Sequence, residues 1–174
     1  MRKTSTILAV IVVLIALFLQ FIPSEYKIER STVINAKASV VFNKVNTVSD
    51  WNWQAWYSID PDMEIEFSGP TEGVNAKRCW SSENIDIGSG CLTIIESEPN
   101  SMIKTKIDID AKNPTYGTWM FVEKDGVTSV DWKLEMDMGS NFIAKVVGLF
   151  MEHRLAYVLE DGLENLKYQC ESIP

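Results

Sequence analysis

Apolar positions recur every second residue through the middle of the chain and every third or fourth residue near its end. The first period is that of a half-buried strand and the second that of an amphipathic helix. Tyr26 to Ile34 alternates as a first strand. From Met63 the alternation resumes, broken by turn signals, through Met63–Phe67, Val74–Ser82, Gly90–Glu96, Ser101–Asp110, Tyr116–Glu123 and Val127–Met138. This pattern predicts an antiparallel meander with one wet and one dry face. Ala36–Val45 predicts a short helix, and SDWNWQAWYSIDP a second one, capped by Ser49 or Asp50 and ended by Asp60 and Pro61. Ser140–Tyr168 predicts the longest helix, with Ser140 or Asn141 as N-cap. Its second half carries an apolar stripe of Met151, Leu155, Val158, Leu159, Gly162 and Leu166. Its first half, Phe142 to Met151, has Lys145 as its one charge and is apolar all round, so it needs cover on several sides.

Turn chemistry sets a register. Asp125-Gly126 is a two-residue hairpin loop of the kind that takes positive φ, which places Lys124 opposite Val127 and, counting outward, Trp119 opposite Trp132, Phe121 opposite Val130 and Gly117 opposite Leu134. A turn at Pro99-Asn100 places Ile107 opposite Leu92 and Thr105 opposite Ile94, with Arg78 and Glu96 facing inward. A symmetric loop around Ile85 places Cys79 opposite Cys91 on the outer face, either as two thiols or as a disulfide, and Trp80 inward opposite Gly90. Cys170 has no evident partner.

The stretch Thr4–Ile22 carries no charge, and at ~1.5 Å per residue it gives a helix about 28 Å long, enough to cross a bilayer core. It ends in Phe21, Ile22 and Pro23 instead of small residues, which favours an uncleaved anchor over a signal peptide. Residues 1–23 therefore read as an N-terminal membrane anchor and 24–174 as one domain. Arg2 and Lys3 favour a cytoplasmic N-terminus and an extracytoplasmic domain, periplasmic if the source is bacterial. The formal net charge of −8 disfavours nucleic acid as a partner.

The inventory of reactive groups is small. His153 is the only histidine and lies on the polar side of the last helix, so neither a Ser-His-Asp nor a Cys-His relay is evident. No catalytic set, metal site or cofactor is expected, since three scattered cysteines and one histidine show no ligand spacing. Gly88-Ser89-Gly90 precedes a strand and not a helix, so it reads as a turn and not as a phosphate cradle. The distinctive feature is a dry surface of large side chains, Trp80, Trp119, Phe121, Trp132, Ile107 and Leu134, facing the last helix. That surface is either a filled core or an apolar pocket, with Phe150, Met151 and Leu155 lining it from the helix and Arg78 and Glu96 orienting a polar ligand head.

The runs WNWQAWYSIDP, FSGPTEG, CWSS, GSGCLTI, VDWKLEMD, KVVGLFM and LEDGLENLK, in this order across Tyr26–Tyr168, resemble the polyketide cyclase/dehydrase-like (SRPBCC) branch of the START-like superfamily. The resemblance implies an α+β helix-grip fold: a curved antiparallel seven-stranded sheet, two short helices and a long C-terminal helix, here preceded by an N-terminal transmembrane helix. It also implies a cavity between sheet and helix for an apolar ligand. Three functions follow as expectations. The first is a membrane-anchored module binding a hydrophobic small molecule or lipid. The second is a cyclase or dehydratase acting by enclosure, helped by Arg78, Glu96 or Tyr116. The third is an interaction protein using the apolar start of the last helix. Oligomeric state is not legible.

Overall fold

A computed structural model describes residues 21–109 and 113–172. The predicted anchor, Thr4–Ile22, lies almost wholly outside the described residues; among these, no helix is long and apolar enough to cross a membrane. The strands are β1 (Glu25–Ile34), β2 (Glu64–Ser68), β3 (Lys77–Ser81), β4 (Ser89–Glu98), β5 (Met102–Ile109), β6 (Thr115–Lys124) and β7 (Val127–Asp137). They form one antiparallel sheet in the order β1-β7-β6-β5-β4-β3-β2. Between β1 and β2 lie α1 (Ala38–Asn46), a 3-10 helix (Val48–Trp53) and the short α2 (Ala55–Ile59). The chain ends in α3 (Phe142–Glu171), whose N-cap Asn141 accepts from the amides of Ile143 and Ala144.

β7 is the backbone of the sheet. Val130, Trp132, Leu134 and Met136 are buried while the residues between them face water. Asp125 and Gly126 both take positive φ, and the hairpin they make sets Lys124 opposite Val127 and Trp119 opposite Trp132, as the two-residue loop dictates. β1 crosses from the other end of the chain to pair with β7, from Glu25 opposite Asp137 to Ile34 opposite Thr128. That long-range pairing closes the sheet under α3.

The β4-β5 hairpin departs from expectation. Its loop is one residue longer than a Pro99-Asn100 turn, because Glu98 pairs with Met102. A bulge between Ile94 and Glu96 absorbs the extra residue, so Ile94 opposite Thr105 and Leu92 opposite Ile107 keep the expected register. Glu96, on the turn side of the bulge, is rotated to the outer face, where it is exposed and 3.4 Å from Lys104 Nζ.

The core lies between the concave sheet face and α1, the 3-10 helix and the second half of α3. Leu159, Leu163 and Leu166 are buried along that half. At Gly162 an added Cβ would come 3.2 Å from Cζ3 of Trp132, so the bare backbone lets the helix sit close to the indole without pushing the ring aside. On the opposite face, Cys79 and Cys91 are paired across β3 and β4 and joined as a disulfide.

Candidate functional site

The interior between sheet and α3 is built around four indoles. Trp119 and Trp132 stack with centroids 4.1 Å apart and planes 17° from parallel. Trp53 stands edge-on to both, at 5.7 Å from Trp119 and 6.4 Å from Trp132, and Trp51 packs on Trp53 at 5.5 Å. The tryptophan-rich run after α1 thus plugs the open side of the sheet. It does so as a 3-10 helix because Trp51, Trp53 and Val48 must all turn inward within six residues.

Polar groups are trapped in this apolar volume. Gln54 is fully buried, and neither its amide nitrogen nor its carbonyl oxygen has a partner. The indole nitrogens of Trp53 and Trp119 are likewise buried without an acceptor. Leaving a buried polar atom unpaired costs ~1–3 kcal/mol, so four such atoms in one region form an unusual concentration.

Beside them lies Arg78, 5% exposed. Its Nη1 donates to the carbonyl of Trp51 at 3.1 Å, the same oxygen that accepts from the Gln54 amide at 3.3 Å. Its guanidinium carbon stands 5.7 Å from the centroid of the Tyr57 ring. Among the described residues no carboxylate lies within ion-pair distance of it. Burial pulls its pKa down and Tyr57 opposes the shift, but a guanidinium stays cationic in a protein. The concave face therefore holds a buried positive charge, with a backbone carbonyl and an aromatic ring as its neighbours.

The predicted site residues divide. Trp119, Phe121, Trp132, Leu134 and Arg78 are buried on the concave face, and Trp80, Ile107 and Leu155 are half-buried against the same core. Met151 is also half-buried. Phe150 is a correction: it is 72% exposed, because α3 turns it to the side away from β1. Glu96 is another, carried outward by the β4 bulge, and Tyr116 sits on the outer face of β6. Sequence reading missed Gln54, Trp53 and Trp51 as site residues. The signal was the cluster of tryptophans with a lone glutamine inside it.

Two surface clefts complete the geometry. One of about 320 Å³ is lined by Tyr26, Lys27, Tyr116, Glu135 and Met136. The other, about 420 Å³, lies beside the disulfide against Trp80, Gly90, Asp108 and Ile109. In the first, Glu135 is flanked by Lys133 at 3.1 Å and Lys27 at 3.3 Å, and the hydrogen bond from Lys133 holds its carboxyl below the usual carboxylate range. Among the described residues no group of three or more metal-binding side chains comes together.

The fold is shared with solved structures at low sequence identity. The Aha1 dimer protein of Colwellia psychrerythraea is 14% identical, with a TM-score of 0.59 over 84% of this chain and 97% of that one. The protein MLL2253 of Mesorhizobium loti is 8% identical, with a TM-score of 0.63 over 86% and 99%. The di-domain ARO/CYC StfQ from the steffimycin biosynthetic pathway is 10% identical, with a TM-score of 0.62 over 84% of this chain and 51% of that one. No curated protein matches the sequence. Residues 25–171 match the family described as polyketide cyclase / dehydrase and lipid transport, a span that runs from the first residue of β1 to the last of α3. With the seven-stranded grip and its terminal helix in place, the chain belongs to that family, the polyketide cyclase/dehydrase-like branch of the START-like (SRPBCC) superfamily.

Proposed function

We propose that this protein is a membrane-tethered binding module for an apolar small molecule or lipid that carries an oxygen-bearing, preferably anionic, end. The observation that carries the reading is Arg78: a buried cation with one backbone acceptor and no carboxylate partner among the described residues. A buried charge of this kind is costly unless something pairs with it. In the same interior, the side-chain Nε2 of Gln54 and the indole N–H groups of Trp53 and Trp119 are donors without an acceptor. A carboxylate or enolate oxygen would satisfy several of these donors at once, while the tryptophan and leucine side chains would enclose its apolar body. Entry of such a ligand requires the indoles to part. The tether is the uncharged run Thr4–Ile22, and the Cys79–Cys91 disulfide supports an extracytoplasmic, oxidising location.

A fluorescent polyene fatty acid and its methyl ester test this with the full chain in detergent micelles. Wild type is expected to bind the acid with energy transfer from the tryptophans, and to bind the ester at least tenfold more weakly. Arg78→Gln should erase the difference. Equal binding of acid and ester by wild type, or no binding of either, refutes the reading.

One observation favours a second reading, an enclosing cyclase or dehydratase. A buried guanidinium such as that of Arg78 would stabilise the enolate oxygen that develops in such reactions. Conversion of a poly-β-ketone thioester by wild type but not by Arg78→Gln would establish it.

A further inference from the structure

We infer that the outer face of the first part of α3 lies on a phospholipid surface, embedded at the boundary between headgroups and acyl chains. The inference rests on the tether proposed above, and the geometry of the helix start adds what the tether alone does not supply. In the first nine residues of α3 the side turned away from the sheet is apolar: Phe142, Ile143, Val147, Leu149 and Phe150 are exposed, Ile143 by 69% and Phe150 by 72%. Ile143, Val147 and Phe150 follow the helical repeat, so they form one stripe. From Glu152 onward the same line carries Arg154, Asp161 and Glu164, with the exposed, hydroxyl-bearing Tyr157 and Tyr168 between and after them. The charge-free part of the stripe therefore ends within one helix.

The point at which the chain enters the domain, at Phe21 and Ile22, argues for the occupant. Lys145 Nζ, in the same two turns of α3, donates to the carbonyl of Ile22 at 3.4 Å. Phe21, the first of the described residues, is 84% exposed. Ile22, the last residue of the uncharged run, thus lies at the apolar end of α3. If that run enters a bilayer, the stripe is held within a few residues' reach of the membrane surface. Area argues against a second copy. Five such side chains of roughly 150–250 Å² each, about half exposed, present on the order of 500 Å². A stable dimer needs about 800 Å² from each partner. Immersion of one helix face by ~5–10 Å asks for no more than the stripe offers. Arg154, one turn beyond Phe150, is ion-paired with Asp86 at 3.1 Å, so the apolar stripe itself is what the surface would take up.

The test uses the full chain reconstituted in vesicles of phosphatidylcholine with phosphatidylglycerol. An environment-sensitive fluorophore is attached at Val147→Cys on the stripe or, as control, at Glu164→Cys on the outer side of the same helix. The expected result is a blue-shifted probe at position 147, quenched several-fold more strongly by nitroxide-bearing lipid than the probe at position 164. Ile143→Glu with Phe150→Glu should abolish that difference while the chain still floats with the vesicles. If the chain floats but both probes are equally unquenched, docking is refuted and the tether stands. If the chain does not float after an alkaline wash, the tether fails and docking falls with it. A probe at 147 that shifts with protein concentration but ignores the lipid quencher assigns the stripe to a second copy and overturns the inference.

Discussion

The ring of Tyr26 lies directly against the α3 backbone at Gly148, and its hydroxyl donates to the carbonyl of Lys145 at 2.8 Å. A methyl group at position 148 would come 2.8 Å from Tyr26 Cζ, inside van der Waals contact. The contact seats the start of α3 on β1, close to where the chain enters the domain. Alanine is worth ~1 kcal/mol over glycine in a helix, but overpacking a pinned ring costs ~1–3 kcal/mol. Gly148→Ala is therefore expected to lower the urea midpoint, and in a Tyr26→Ala background the same change should raise it. Additive effects in the two backgrounds would disprove the contact.

Gln54 separates stability from binding. Replacing it with leucine removes two unpaired buried polar atoms at similar volume, so the ligand-free domain should gain ~1–3 kcal/mol in a denaturant titration. The same variant is expected to bind the fluorescent acid at least tenfold more weakly. A variant that is both less stable and equally able to bind would show that water, and not ligand, satisfies the glutamine.

The Cys79–Cys91 disulfide closes a short loop, with a sequence separation of 12. Closing a loop of this size stabilises by about 3 kcal/mol in the chain-entropy account. Reduction, or the Cys79→Ala with Cys91→Ala pair, should lower the stability by ~2–4 kcal/mol without disturbing the Trp119–Trp132 stack, which lies three strands away along the sheet. Loss of the stacked-indole signal in circular dichroism on reduction would contradict this.

Cys170 is buried in the last turns of α3, and burial pushes its thiol up to about 11 against a usual 9.0. Below the unfolded value both states hold the proton and the contribution to stability is complete. As pH rises from 9.0 towards 11, the unfolded chain loses the proton first and stability falls, on the order of 2–3 kcal/mol in total. A Cys170→Ala variant should lack that component of alkaline destabilisation, as read from unfolding midpoints between these pH values. The native thiol should also resist alkylation at neutral pH until the helix end opens.

Element types and most of the register were legible in the chain because they depend on local chemistry. Asp125-Gly126 allows the left-handed backbone of a tight hairpin, and from that one turn Trp119 falls opposite Trp132 by counting. Period-two alternation then places the whole of β7. Counting failed where a longer turn was offset by a bulge, which reversed Glu96 while leaving Leu92 and Ile94 in place. Both registers satisfy the same apolar pattern up to Ile94, so nothing in the local sequence distinguishes them.

The site followed the same division. Arg78 was legible as an inward residue because strand alternation sets its face, and Trp119 and Trp132 for the same reason. Gln54 was not, since a glutamine beside tryptophans has no periodicity and its burial depends on α3 closing over it at Gly162. Phe150 showed the converse. An all-round apolar turn declares only that cover is needed, and which side the domain supplies is decided by β1, through Tyr26 against Gly148. Short-range sterics and hydrophobic period determined which elements form and which strand faces are dry. Long-range packing alone decided which polar atoms are sealed inside and which apolar ones are left facing outward, because those outcomes depend on partners more than a hundred residues apart in the chain.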